Sequence, residues 1–332
     1  MTPAVSVVIP SKNGALRLVE TLAALANQAC QAPFEVIVVD DGSDDGTAEV
    51  ASRTELRDGS VRVVRHPASK GRGAARNSGV DVALGAVVLF LDDDMTARPG
   101  VVEAHRVFHQ TTDAAARGNV TLADPGQDSC FARFLRREEA FELQQLLANA
   151  GDLPFGLSQS GHLSVRRSAF VDAGGFDTSI TQYGFEDIDL GYRLRQRGVR
   201  LAFLPAAHSV HRAFMTDLTR YLDRHWEAGR AAKQWVERNP GGEFREYLRL
   251  DPPASLGALR VPAGLAALRL TNRMLLRPSI RRIAGSPAGF GALRGLLRAG
   301  EALAFDRLVH FGYHVARDVR YFQGYFGERK PR

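Results

Sequence analysis

Four short runs rich in β-branched residues, Val5–Ile9, Glu35–Asp40, Val61–Arg65 and Ala86–Leu91, alternate with segments of helical spacing, Ala15–Ala29, Asp45–Ser52 and Gly71–Ala83. In the first of these segments Leu18, Leu22 and Leu25 recur at i, i+4 and i+7, which draws one apolar face. Such alternation predicts βαβ units and an α/β fold, with helices flanking a mostly parallel sheet. Ser43 and Asp44 read as caps of the second helix. The runs also end alike, in Pro10-Ser11-Lys12-Asn13, Asp40-Asp41-Gly42-Ser43 and Asp92-Asp93-Asp94. Ligands of an open parallel sheet sit outside the carboxyl ends of its strands, so these polar clusters are expected to share one cleft.

Downstream, the patterns predict a helix over Pro99–His109, a strand over Ala114–Leu122, a helix over Phe131–Ala148, a strand over His162–Arg166, a helical turn over Ser168–Ala173, a helix over Glu186–Arg197 and a strand over Val199–Leu204. Strand signals stop near Phe214, and helical patterns punctuated by Pro240, Pro252, Pro262, Pro278 and Pro287 follow. A domain of residues 1–214 and an α-helical region of residues 215–332 are therefore expected. Charge divides at the same place: residues 1–214 carry a net −4, and residues 215–332 a net +10. Acids are absent between Pro252 and Gly300, where eight arginines stand among leucines and alanines, which points to an anionic partner.

No apolar stretch approaches the roughly 18 residues of a membrane span. A basic leader followed by an apolar core is also missing from the start, so cytoplasmic residence is the expectation. Two cysteines, Cys30 and Cys130, cannot build a disulfide framework or a four-thiolate zinc site.

Val87–Leu91 runs straight into Asp92, Asp93 and Asp94. Three carboxylates at the end of a buried strand repel one another, and a bound magnesium or manganese ion is a natural compensation; a solvated acidic turn is the plainer reading. Lys70-Gly71-Arg72-Gly73-Ala74-Ala75-Arg76-Asn77 opens a helix with glycines and three cations, a setting suited to a diphosphate, or simply a basic face. Its spacing matches neither the P-loop nor the dinucleotide fingerprint. Glu186 and Asp187 open a later helix, either favouring its dipole or presenting a general base.

Taken in order, VSVVIPSKN (Val5–Asn13), VVDDGSDDGT (Val38–Thr47), KGRGAARNSG (Lys70–Gly79), FLDDDM (Phe90–Met95), GGFD (Gly174–Asp177), FEDIDLGYRL (Phe185–Leu194) and LPAAHSVH (Leu204–His211) resemble the family-2 inverting glycosyltransferases of GT-A fold, across residues 4–211. The resemblance implies a Rossmann-like GT-A sheet and a nucleoside-diphosphate sugar as donor, UDP-linked. Asp40 or Asp41 would meet nucleobase and ribose, with Pro10, Ser11 and Asn13 lining the pocket and Lys70 and Arg76 near the nucleotide. Asp92 and Asp93 would face ribose and diphosphate. Asp94 would ligate Mn2+ or Mg2+ with His211, and Asp187, beside Glu186, would be the catalytic base. His162, Gly175 and Phe176 fall on the acceptor side, although many relatives carry an asparagine where this chain has His162. Met95 has no assignable chemistry.

The implied reaction is one direct displacement with inversion. The implied acceptor is a glycan or lipid-linked hydroxyl in surface polysaccharide or glycoconjugate synthesis, with no nucleic acid involved. A sugar nucleotidyltransferase is the competing enzyme class, and Pro10–Gly14 lacks its Gly- and Arg-rich loop. A non-catalytic nucleotide-sugar-binding protein is the other alternative. For the C-terminal region, an arginine stripe at Arg269, Arg273 and Arg277, the aromatics Tyr321, Phe322, Tyr325 and Phe326, and the basic end Arg329, Lys330 and Arg332 suggest peripheral contact with an anionic membrane on its cytoplasmic face. Packing of the same helix against the catalytic domain is the alternative.

Overall fold

The protein is described by a computed structural model over residues 2–57, 59–124, 126, 128–180, 184–212, 217–239, 274–275, 277–302 and 306–327. The chain forms two compact units. One comprises Met1–Asp124, Glu139–Thr181 and Glu186–Phe214; the other comprises Pro125–Glu138, Gln182–Phe185 and Met215–Arg332.

The first unit is built on strands β1 (Val5–Ser11), β2 (Phe34–Asp40), β3 (Gly59–Arg65), β4 (Val87–Leu91), β5 (Met95–Ala97), β6 (Ala115–Leu122), β7 (His162–Arg166) and β8 (Leu201–His211). They form one sheet in the order β3-β2-β1-β4-β7-β6-β8-β5. Pairings among β3, β2, β1 and β4 are parallel, as is β6 with β8; β7 runs antiparallel to both β4 and β6, and β5 runs antiparallel to β8.

Alternation along the strands splits the core into two layers. Val5, Val7 and Ile9 of β1 share a layer with Val36 and Val38 of β2 and with Leu18, Leu22 and Leu25 of α1 (Ala15–Ala26). Val8, Ile37, Val39, Val88 and Phe90 face the opposite layer, with Ala75 and Val80 of α3 (Arg72–Val82) and Leu190 and Leu194 of α7 (Glu186–Gln196). Each fully buried leucine of α1 contributes roughly 1.5–3 kcal/mol by leaving water, which is why that periodic segment is a helix here.

Two local expectations are corrected. Helix α2 (Thr47–Ser52) has Gly46 at its N-cap, with no side-chain cap. Ser43 Oγ instead accepts the Asn13 N–H at 2.9 Å, and Asp45 accepts the Ala15 N–H at 2.9 Å. These bonds tie the exit of β1 to the exit of β2. The last strand continues beyond Leu204 to His211, because the register shifts between Gly118 and Asn119 while Pro205, Ala206 and Ala207 bulge out of the ladder. Met95 opens β5 and pairs with His211.

In the second unit, α8 (Leu218–Arg238) packs on the helix Asp306–Tyr325. A Cβ on Gly229 would fall 1.9 Å from the Tyr321 carbonyl oxygen, and one on Gly324 would fall 1.9 Å from that of Trp226. Reciprocal glycines thus set the close approach of the two helices. Helices Pro278–Gly285 and Pro287–Ala302 complete the described part.

Arg269, Arg273, Arg329, Lys330 and Arg332 lie outside the described residues. Of the expected aromatic anchors, Phe322 is buried, and the Phe326 ring carries the Arg281 guanidinium at 3.7 Å. Phe322 therefore serves packing rather than a surface. No helix among the described residues is long and apolar enough to cross a membrane.

Candidate active site

Strands β1, β2 and β4 are neighbours and parallel, so their polar exits lie side by side. At the β4 exit the three aspartates divide. Asp93 turns back: its carboxylate accepts from Ser11 Oγ at 2.5 Å and from Arg17 Nε and Nη2 at 3.2 and 3.1 Å. This fork occupies the oxygens expected to face ribose and diphosphate, so Asp93 braces β4 against β1 and α1. Asp92 receives Arg76 Nη2 at 2.7 Å and remains partly exposed.

Asp94 lies 3.2 Å from His211 Nε2 through Oδ2, and its buried Oδ1 has no hydrogen-bond donor among the described residues. Burial opposes its ionisation, but His211 and Arg17 outweigh burial and hold its carboxyl below the ordinary value. The β5–β8 ladder creates this pair, since Met95 opposite His211 sets the residue before it beside the imidazole. One carboxylate with an uncommitted oxygen and one imidazole fit the hard-to-borderline donors that Mn2+ or Mg2+ takes.

At the β2 exit, Asp41 is saturated. It accepts the Lys70 and Gly71 N–H groups at 2.8 and 2.9 Å, Ser69 Oγ at 2.6 Å and a contact from His66 Nδ1 at 2.7 Å. Burial opposes ionisation here too, yet those donors lower the carboxyl to about 2. Gly42, at φ +74°, lets the turn close on the loop, because a Cβ there would stand 2.8 Å from Ala68 C and Ser69 N. Asp40 is different. Its Oδ1 accepts the Ser43 N–H at 2.9 Å, while Oδ2, 3.4 Å from Arg65 Nε, has no hydrogen-bond donor among the described residues. Of the two acids expected at a nucleoside, Asp40 alone keeps an oxygen without a hydrogen-bond donor among the described residues, and that oxygen is buried beside Arg65. Asn13 adopts φ 47°, and its Oδ1 accepts the Asp44 N–H at 3.1 Å.

Helix α7 supplies the remaining acids. Arg76, almost wholly buried, places Nη1 3.6 Å from Glu186 and Nη2 on Asp92, so one guanidinium links the start of α7 to the exit of β4. Asp187 accepts a hydrogen bond from Ser160 Oγ. Burial and the adjacent Glu186 carboxylate push its carboxyl up to about 7, against the opposing pull of Arg76. A carboxylate that titrates near neutrality is suited to receive a proton.

The expected acceptor-side residues behave differently from one another. Phe176 is bound to α3 through Asn77, which accepts the Phe176 N–H and donates to the Phe176 carbonyl, both at 2.9 Å, while the Gly175 N–H donates to the Phe170 carbonyl at 3.0 Å. Phe176 packs on Phe90 and Phe170 and lies 5.3 Å beneath the Arg76 guanidinium, so it positions that arginine. His162 is fully buried within the sheet layer, its Nε2 3.1 Å from His105 Nε2, and burial pushes it down to about 3. It offers no surface to an acceptor.

Lys70 contributes its backbone to Asp41. Pro10 and Ser11 end β1 opposite Val39 and Asp40. Ser160, Arg17 and Arg212 had no motif to announce them. Arg212 reaches Thr21 Oγ1 at 2.9 Å, and its N–H donates to the Asp94 carbonyl at 2.9 Å.

Comparison with known proteins bears on this geometry. Residues 6–157 match the family described as Glycosyl transferase family 2, and residues 152–217 match one described as the N-terminal domain of galactosyltransferase. A pre-mycofactocin glycosyltransferase of Mycobacterium tuberculosis is 32% identical over 82% of this chain and 57% of its own length. An uncharacterized glycosyltransferase, YfnE, of Bacillus subtilis is 29% identical over 62% of this chain and 64% of its own. The chain thus spans less than two thirds of these curated relatives.

Among solved structures, the mannosyltransferase PcManGT of Pyrobaculum calidifontis, in complex with GDP-Man and Mn2+, superposes with a TM-score of 0.63 at 20% identity, covering 99% of this chain and 89% of that one. S. aureus TarS 1-349 in complex with UDP-GlcNAc superposes with a TM-score of 0.52 at 17% identity, covering 98% and 93%. Motif order, sheet topology and these relatives agree that the chain belongs to the family 2 glycosyltransferases, on a GT-A fold.

Proposed function

We propose that this protein is an inverting, metal-assisted glycosyltransferase, which moves a sugar from a nucleoside-diphosphate sugar, UDP-linked, to a hydroxyl of a glycan or lipid-linked acceptor in polysaccharide or glycoconjugate synthesis. The observation that carries the reading is Arg76, which joins Asp92 at the exit of β4 to Glu186 beside Asp187, bringing the donor acids and a near-neutral carboxylate to one place. Relatives solved with GDP-Man and Mn2+ or with UDP-GlcNAc support a nucleotide-sugar donor.

In this reading Asp40 Oδ2 accepts from the nucleoside, Pro10, Ser11 and Asn13 line its pocket, and Lys70, Arg76 and Asp92 lie on the ribose and diphosphate side. Asp94 and His211 hold the cation, which when bound supplies positive charge against the departing diphosphate. Asp187 takes the proton from the acceptor hydroxyl as its oxygen forms a bond to the anomeric carbon. The bond from that carbon to the β-phosphate oxygen breaks, and the nucleoside diphosphate leaves with the electron pair. Ser160 holds Asp187 in place, and Arg76 and Phe176 fix the distance between the acids.

Residues 1–214 form the donor and catalytic domain in this reading, and residues 215–332 serve the acceptor, an anionic membrane surface or a second subunit. Exposed Ile283 and Leu296 beside exposed Arg282, Arg294 and Arg298 support a membrane surface. Equal co-sedimentation with neutral and anionic vesicles would remove that part.

The activity is tested by supplying purified protein with UDP- and GDP-sugars, Mn2+ or Mg2+ and acceptor mimics. Release of nucleoside diphosphate with an inverted glycoside is expected. Release of pyrophosphate from a sugar phosphate and a nucleoside triphosphate would instead identify a nucleotidyltransferase.

A further inference from the structure

The second unit contains a cluster that the proposed reaction does not use. His310 and His314 stand one turn apart on the helix Asp306–Tyr325, with their Nε2 atoms 3.2 Å apart. Glu138 comes from a segment distant in sequence, and its Oε1 lies 3.3 Å from His314 Nε2. All three donor atoms fall within 4.8 Å of one another. In a tetrahedral zinc site with Zn–N of about 2.0–2.1 Å, neighbouring ligand atoms stand about 3.3 Å apart. The two measured separations match that edge.

Glu138 has the surroundings of a ligand, while the buried Nδ1 atoms of His310 and His314 have no hydrogen-bond partner among the described residues. Glu138 is oriented by Arg317, whose Nη1 donates to Oε2 at 2.8 Å and leaves Oε1 turned to His314. Carboxylate ligands are commonly held this way by an outer partner. Arg317 is balanced by Asp318, which receives its Nε at 2.9 Å. The local charge of Arg317, Asp318 and Glu138 is therefore −1, with exposed Arg137 the further cation near His310.

Phe134 packs against the His310 and His314 rings, at 5.1 and 5.2 Å between centroids, and limits their rotation.

We infer that Glu138, His310 and His314 form a second divalent-metal site, for zinc or a similar borderline cation, with water in the fourth position. It is separate from the Asp94–His211 pair and rests on no assumption about transfer. A cation held there would tie the Glu138 side chain to the helix Asp306–Tyr325 within the second unit.

The test uses the full chain carrying Asp94→Ala, stripped with chelator, then titrated with ZnCl2 or CoCl2. One tightly held zinc per chain is expected after desalting, with a zinc-dependent rise in melting temperature and the intense visible absorption of four-coordinate Co2+. Adding His310→Gln or His314→Gln should abolish retention, and Glu138→Gln should weaken it by about ten-fold or more. Far-UV circular dichroism checks that each variant folds, and the cobalt spectrum of the Asp94→Ala parent stands even if one does not. Failure of that parent to retain zinc, a six-coordinate cobalt spectrum, or folded His310→Gln and His314→Gln proteins that keep the metal would each overturn the site. None of these outcomes depends on sugar transfer.

Discussion

At the end of β2, Asp41 receives donors on both oxygens and is drawn into the loop of residues 66–71, whereas at the end of β4, Asp94 keeps a buried oxygen without one. The same residue type at the same kind of strand exit is a brace in one place and keeps an oxygen without a donor in the other. Asp93 repeats the lesson a single residue away, because its carboxylate is closed by Ser11 and Arg17. An acid is free to act where the fold withholds donors from it, and strand ends alone do not say which acid that is.

The proposed division into acting acids (Asp94, Asp187) and holding acids (Asp41, Asp93) can be broken by measurement. Asp187→Asn is expected to lower transfer by ~10²–10⁴-fold with donor affinity nearly kept, the usual share of a positioned base. A loss of donor affinity with turnover intact would move Asp187 to the binding side. Asp94→Ala should cost about 10²-fold or more in turnover, and should weaken Mn2+-dependent donor binding, because charge stabilisation by a cation amounts to several kcal/mol. Its melting temperature should stay close to the parent's, and thermal denaturation checks this.

The pH dependence of kcat/KM sharpens the assignment of the base. With Asp187 raised to about 7, its active form is the ionised one, so the rate should fall about tenfold per pH unit below that value. A profile flat from pH 5 to 8 would place the base elsewhere.

Asp41→Asn addresses the other side of the comparison. It should destabilise the protein by about 1–3 kcal/mol in urea melts through lost charge-assisted bonds. Residual catalysis in the folded fraction should remain. The effect must also depend on pH. A carboxyl lowered from 3.8 to about 2 contributes stability that is full above pH 4 and disappears as pH falls through 2. The gap between wild type and Asp41→Asn should therefore close on acidification over that window, and equal gaps at pH 6 and pH 2.5 would show that Asp41 is not the holding group.

Much of the first unit was legible in local pattern. Strands β1, β2 and β4 are almost wholly buried and mainly apolar, and the helix over Ala15–Ala26 follows its three periodic leucines, Leu18, Leu22 and Leu25, three residues shorter than the spacing predicts. β5 was not legible, because Met95–Ala97 is too short to carry a period and exists only as a partner of β8. The continuation of β8 was hidden by Pro205, which is tolerated because a bulge removes it from the ladder. His162 carried no mark of its burial, since a histidine in a strand reads the same whether it faces a ligand or His105. Ser160 carried none of its bond to Asp187.

The order of strands, helices and acidic exits was thus determined by the sequence itself, because hydrophobic periodicity and the chemistry of a residue act over one or two turns of chain. Which oxygen is left without a donor was decided by tertiary structure. Asp94 meets His211 across a ladder that joins residues 117 positions apart, Arg76 spans from α3 to both β4 and α7, and Glu138 meets His314 from a remote segment. Hydrogen bonds and ion pairs depend on distances of a few tenths of an ångström, and only the packed sheet and the paired helices set those.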